Sequence, residues 1–228
     1  MRFLIGSLAG LLLLAGVCVV AQEGQPSSNA GQVAQTPDPN LKPMVLPPPQ
    51  TDGGKPLMQV LKARQSSREF STEKLPPQVL SNLLWAAWGV NREDGRRTAP
   101  SARNRQEMDV YVTLAEGTYV YNAKDHRLDP VVREDLRAAT GTQPFVGQAP
   151  LNLVYVADRA KTGGADDAMS YADTGFIGQN VYLYCASEGL VTVIRGMVPQ
   201  EALAKAMKLR PDQRITLAQT VGYPKKAQ

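Results

Sequence analysis

Histidine and cysteine are almost missing from this chain: its 228 residues include one histidine and two cysteines. That scarcity excludes a histidine- or cysteine-rich zinc site and a disulfide framework, and any histidine-assisted nucleophile would have to use His126. No metal site is expected. No block of lysine and arginine stands out either. The formal charge of +4 comes from 25 basic and 21 acidic residues spread along the chain, so no nucleic-acid partner is expected. Internal repeats and coiled-coil heptads are also lacking. What is present is ordinary for a globular protein, with 43% hydrophobic and 20% charged residues in a length suited to one domain.

The first segment reads as a secretory signal. Arg2 gives a positive start, residues 4–20 are almost unbroken apolar sequence, and Val19-Val20-Ala21 precedes Gln22 with residues that a signal peptidase reads. A retained membrane anchor is the alternative, although the run is at the short limit for a span. Lipidation at Cys18 is a third, disfavoured by the poor match of Ala15-Gly16-Val17 to a lipobox. The expectation is a signal peptide over residues 1–21, a periplasmic or secreted protein, and no stable membrane span after cleavage. The mature chain would keep only Cys185 and so no intrachain disulfide, leaving its stability to the core, a ligand or a partner. Residues 22–56 hold eight of the seventeen prolines and no aromatic residue, which predicts a disordered or extended tether. Its apolar cluster, Met44-Val45-Leu46, is the part able to fold over a neighbour.

Residues 57–228 carry the folded domain. Leu57, Val60 and Leu61 suggest a short opening helix; Pro76-Pro77 opens a stronger one that ends at Gly89. Met108 to Leu114 alternates as a strand, and Tyr119 and Tyr121 continue the alternation after a turn. Asp129-Pro130 predicts a helix start, stopped by Gly141. The apolar run from Leu151 predicts a strand buried on both faces. A long central helix is expected from an N-cap at Asp173 to Glu188, followed by a short strand, a helix after Pro199 and a final strand ending near Val221. The order predicts an α+β fold with a mostly antiparallel sheet.

Four polar stretches fall outside these elements. Arg64-Gln65-Ser66-Ser67-Arg68-Glu69-Phe70 places two guanidiniums and two hydroxyls where they can grip a phosphate, or simply form a solvated loop. Arg96-Arg97-Thr98-Ala99-Pro100-Ser101-Ala102-Arg103-Asn104-Arg105-Gln106 can admit a flat ring to its backbone while its amides pair with the ring edge, or serve as a flexible connector. Val193-Ile194-Arg195-Gly196-Met197 follows the long helix, and its glycine permits close backbone approach or positive φ, exposing amides to a ligand. Gly222-Tyr223-Pro224-Lys225-Lys226 is a turn with a basic end.

In order and spacing these stretches resemble the FMN-dependent nitroreductase family over about residues 60–226. Arg64, Ser66, Arg68 and Phe70 match its Arg-x-Ser-x-[Arg/Lys]-x-[Phe/Tyr] signature, and residues 100–106 match Pro-Ser-[Ser/Ala]-x-Asn-x-Gln. Ala186 to Leu190, then Arg195-Gly196, match the end of the family's central helix and its flavin-facing loop. The resemblance implies a domain-entwined homodimer, of the compact branch, with FMN at its interface. It implies that Arg64 and Ser66, with Lys225 or Lys226, grip the FMN phosphate, and that Gln65 lies along the ribityl region. Arg68 would face flavin N1 and O2, and Gln143 is a weaker candidate for the pyrimidine edge. Pro100, Ser101, Ala102 and Asn104 would approach from the other subunit, and backbone amides around Arg195 and Gly196 would meet N5 or O4.

The implied reaction moves a hydride through flavin N5 between NAD(P)H and a small organic acceptor, without a side-chain acid or base. Arg195 stands where many relatives carry a smaller or acidic residue, which points to an anionic substrate or a narrowed pocket. Export also leaves room for a different electron donor. Two other readings are a flavin-binding protein without turnover and a specialised flavin dehydrogenase or oxidase. Among the remaining residues, His126 reads as a turn residue, Cys185 as a small buried hydrophobe and Trp85 and Trp88 as packing; Tyr171 is a weak substrate contact.

Overall fold

The centre of the protein is the strand that the apolar run after Pro150 predicts. In the computed structural model, which describes residues 40–164 and 167–226, all eight residues of β5 (Leu151–Asp158) are buried. Alternate side chains serve two different cores: Leu151, Leu153, Tyr155 and Ala157 point to one, Val154 and Val156 to the other. A strand covered on both faces cannot alternate apolar with polar, which accounts for the continuous hydrophobic sequence.

Along the chain, β1 (Met44–Val45) precedes α1 (Leu57–Ala63) and α2 (Pro77–Trp88). A meander of β2 (Met108–Leu114), β3 (Gly117–Asn122) and β4 (Arg127–Val132) follows, then the short α3 (Phe145–Gln148) before β5. After β5 come α4 (Arg159–Thr162), α5 (Asp167–Glu188), β6 (Val191–Arg195), α6 (Gln200–Ala206) and β7 (Gln213–Gly222). The seven strands form one sheet in the order β1-β4-β3-β2-β5-β7-β6, and every neighbouring pair is antiparallel. Helices α2 and α5 cover one face through Leu83, Leu84, Ile177 and Val181, whereas Leu203 and Met207, from α6 and the residue after it, pack on the other. The α+β fold is the one expected.

Helix α2 begins at its proline and ends with Gly89 as its cap, as the sequence signals indicate. Helix α5 presses close to the sheet at Gly178, where an added Cβ would lie 2.7 Å from the Ile194 side chain and 3.3 Å from Gln219 Oε1. A larger residue there would have to displace the end of the Ile194 side chain.

Three expectations are corrected. Asp129-Pro130 lies within β4 instead of capping a helix; Pro130 sits opposite Tyr119, beside a register shift where a missing N–H is tolerated. Between β4 and Gly141 the only helical turn among the described residues is a 3-10 turn at Ala138–Thr140. Asp173 is inside α5, because that helix starts at Asp167.

The proline-rich stretch also differs from a free tether over its described part. Met44 and Val45 pair with Leu128 and Arg127 at the sheet edge, and Leu46 is buried. The Pro47 carbonyl accepts from the Ser81 hydroxyl at 2.6 Å, and the Pro48 carbonyl accepts from Gln78 at 2.9 Å. Prolines hold this segment extended, and α2 supplies donors along it. The expected signal segment, Cys18 and residues 22–39 of the tether lie outside the described residues. Among the described residues no helix is long and apolar enough to cross a membrane.

Candidate functional site

Both ends of the domain meet at the edge strand β6. Its Thr192 carbonyl accepts from the Ser67 amide at 3.1 Å, Phe70 bridges to Pro224, and the Lys225 amide reaches the Glu69 carbonyl at 3.4 Å. The backbone therefore brings the Arg64–Phe70 signature beside the basic chain end, 155 or more positions later in the sequence. Tyr182 of α5 organises the corner. Its hydroxyl lies 2.8 Å from Ser66 Oγ and accepts from the Ile194 amide at 3.0 Å, while the Arg64 guanidinium stacks 5.2 Å from its ring centroid.

The cations at this corner are not spent on carboxylates. Among the described residues, Arg64, Arg68, Lys225 and Lys226 join none of the ion pairs, which lie elsewhere on the surface. Arg68, Lys225 and Lys226 are exposed, as is Gln65. Such a cluster of unpaired cations repels itself and favours an anion. Gln143 sits before α3, with Oε1 buried and without a donor. The Phe145 ring, two residues on, packs 5.6 Å from Phe70.

Arg195 departs from its expected role. Its side chain turns into the protein and is only 5% exposed. The guanidinium donates to the Thr140 carbonyl at 2.8 Å, Thr140 Oγ1 at 3.2 Å, Asn152 Oδ1 at 3.1 Å and Thr220 Oγ1 at 3.1 Å. All these acceptors are neutral, and burial alone pushes its pKa down to about 10. Arg195 therefore neither reaches an anionic substrate nor narrows a pocket. The surface beside it belongs to Gly196 and Met197, both exposed.

Residues 100–106 stand elsewhere. Ala102–Asn104 forms a 3-10 turn, and Arg103, Asn104 and Gln106 adopt positive φ values of 55°, 52° and 49°. Each such residue costs roughly 1 kcal/mol, so the loop must be held by its surroundings. Gln106 does much of this: it accepts from Arg97 Nε at 2.8 Å, and its side chain donates to the Gly95 carbonyl at 3.1 Å. Its amide is bound by Ser101 Oγ at 3.0 Å. The Ala102 amide donates to Asp173 Oδ2 at 2.9 Å. Pro100 and Asn104 are exposed, and Ser101 and Ala102 are half-buried.

These two groups do not meet within one chain. Asp173, behind the loop, and Tyr182, behind the cation corner, are nine positions apart on α5. At 1.5 Å and 100° per residue that is about 14 Å along the axis and opposite helix faces. Cavities of about 440 Å³, beneath residues 50–55, and about 480 Å³, beside Leu80 and Leu114, include none of the expected flavin residues. Sequence reasoning missed Tyr182 and the pairing of Asp173 with the loop, for which no local signal exists.

Comparison with known proteins identifies the family. The sequence model of the Nitroreductase family matches residues 61–223. A protein of Methanocaldococcus jannaschii named as a nitroreductase is 32% identical over 168 residues, covering 68% of this chain and 85% of that protein. A crystal structure from Ralstonia eutropha JMP134, also named as a nitroreductase, superposes with a TM-score of 0.78 at 41% identity, over 85% of this chain and 97% of that one. A more distant structure from Desulfovibrio desulfuricans, a nitroreductase by name and in complex with FMN, shares the fold with a TM-score of 0.57 at 22% identity, covering 76% and 89% of the two chains. With the family model matching residues 61–223, most of the folded domain, this chain belongs to the nitroreductase family.

Proposed function

We propose that this protein is an exported FMN-dependent oxidoreductase that works as a homodimer and passes reducing equivalents from NAD(P)H, or another donor, to a small organic acceptor. The observation that carries the reading is the convergence of Arg64, Ser66 and Arg68 with Lys225 and Lys226, cations without acidic partners on the edge of β6. This chemistry suits a phosphate monoester. The orphaned Gln143 Oε1 suits a ring N–H. Export rests on the sequence of residues 1–21.

When bound, FMN supplies a two-electron carrier that the protein's own side chains lack. The chain's part is to hold and tune it. Arg64 and Ser66 bind the phosphate, with Tyr182 fixing both in place. Arg68 would supply a positive charge near the pyrimidine ring, which would favour the reduced, anionic form. Backbone amides around Arg195 and Gly196, at the end of β6, would face N5 or O4 of the ring. The loop at 100–106 of a second subunit would cover the remaining edge, since its own chain holds it away from the Arg64 corner.

The test is spectroscopic. Purified protein should be yellow or take up FMN, and NADH or NADPH should bleach the flavin band under anaerobic conditions. Yellow protein inert to every reductant would instead indicate binding without turnover. Arg64→Ala should weaken FMN binding by about 1.5–3 kcal/mol, the scale of a charged hydrogen bond; unchanged affinity would refute the phosphate assignment.

A further inference from the structure

Behind the loop at 100–106 lies a pair of buried carboxyls that the flavin reading leaves without a role. Glu107, just before β2, is 1% exposed and Asp173 of α5 is 3% exposed. Among the described residues neither joins an ion pair with lysine or arginine. Glu107 Oε1 accepts from Ser170 Oγ at 3.5 Å, but Oε2 has no donor. Oε2 is an orphan only while Glu107 is ionised. Ser170 stands one turn before Asp173 on α5, which puts the Glu107 carboxyl beside that of Asp173; a proton on Oε2 can then serve as donor to the Asp173 carboxylate, whose Oδ2 already holds the Ala102 amide.

We propose that Asp173 is a positioning residue for the loop at 100–106: clamped by a proton shared with Glu107, its carboxylate fixes the Ala102 amide and with it the left-handed backbone at Arg103, Asn104 and Gln106. The inference rests on the flavin reading for its functional consequence, but the clamp itself does not. Burial is the main influence that raises the Glu107 pKa, and the adjacent Asp173 charge raises it further. Neighbouring charges are committed elsewhere. Lys161 of α4 donates to the Gln106 carbonyl and pairs with Asp109 and Asp158, Arg159 and Arg214 pair with Asp167, and Arg97 bonds Gln106. None of these supplies a cation to the Glu107–Asp173 pair, so loss of the shared proton leaves two carboxylates facing each other and releases the loop.

Hydrogen exchange of the loop amides and FMN titration, each run from acid to alkaline pH on the purified protein, test the clamp. In the unmodified chain, loop protection and FMN affinity should fall together as Glu107 ionises. Asp173→Ala should speed exchange at Ala102 by about tenfold and weaken FMN by a similar factor, the scale of one charge-assisted hydrogen bond. Asp173→Asn and Glu107→Gln each restore a neutral donor between the two side chains, so both should keep the loop protected and abolish its pH transition. An unchanged transition in Glu107→Gln, or unchanged loop exchange in Asp173→Ala, would overturn the proposal. If Asp173→Ala does not fold, the two amide variants decide it. Failure of the unmodified chain to take up FMN would count against the flavin reading alone, because exchange still reports the clamp.

Discussion

A buried guanidinium surrounded by neutral acceptors makes Arg195 a structural residue with narrow tolerances. Its partners come from three places in the sequence, Thr140, Asn152 and Thr220, so it ties the turn before Gly141 to β5 and β7. Gly141 is extended, with φ of −178°, and any residue could adopt that backbone. What it cannot accept is a side chain: a Cβ would fall 2.1 Å from Arg195 Nη1 and 3.3 Å from the Met197 carbonyl. Gly141→Ala should therefore destabilise the protein by about 1–3 kcal/mol, the cost of unseating bonded buried groups. Repeating it in an Arg195→Met background should remove most of that loss, because the clashing atom is gone. Denaturant unfolding of the two single variants and the double variant measures the coupling; additive effects would show that Arg195 is not the obstacle.

At the scale of elements, sequence periodicity revealed what burial dictates and missed what contacts decide. The apolar run of β5, the proline start of α2 and the Arg64–Phe70 signature were legible because each is encoded locally. Pro130 was not, since Asp-Pro opens a helix or sits beside a bulge according to what lies across from it, here Tyr119. Asp173 and Arg195 were misjudged for the same reason: a cap or a surface charge differs from a buried partner only through residues distant in sequence. His126 is a further case. It occupies the expected turn with φ of 47°, yet its ring fastens the 44–50 segment to the fold. Nδ1 lies 2.9 Å from the Tyr121 hydroxyl, and Nε2 lies 2.7 Å from Ser81 Oγ and 3.1 Å from the Pro47 carbonyl. A neutral ring with its proton on Nε2 satisfies all three, accepting from Tyr121 at Nδ1. Burial lowers the His126 pKa, partly offset by the Pro47 carbonyl. A depressed histidine adds stability above its unfolded pKa, about 6.5, and loses it as pH falls through the folded value. Melting temperature should consequently drop on acidification below neutrality. His126→Ala should lower stability by roughly 1–2 kcal/mol and flatten this part of the pH profile. Equal pH dependence in variant and parent would exclude His126 as its source.

For the whole molecule, the separation of the two halves of the site is the central constraint. The loop at 100–106 and the Arg64 corner face opposite sides of α5 in one chain, so a flavin contacted by both requires two chains. For the proposed homodimer, exposed apolar side chains of α1 and α5 offer a surface to a second copy: Leu57 at 60%, Met58 at 75% and Leu61 at 43% on α1, with Met169 at 49% and Phe176 at 48% on α5. Isolated exposed hydrophobes need no explanation, but five of this size on two contacting helices form a face that water disfavours. Burying such side chains contributes about 25 cal/mol per Å² of apolar area, offset by the entropy of association. Phe176→Glu introduces a charge into that face without touching the core, since its neighbours Ile177 and Val181 carry the packing on the sheet. The variant should elute as a monomer with its melting transition largely retained, and its FMN affinity should fall with the loss of the dimer. Light scattering combined with flavin titration over protein concentration checks this. A monomeric variant that binds FMN as tightly as the parent would place the entire flavin site within one chain and remove the need for a partner's loop.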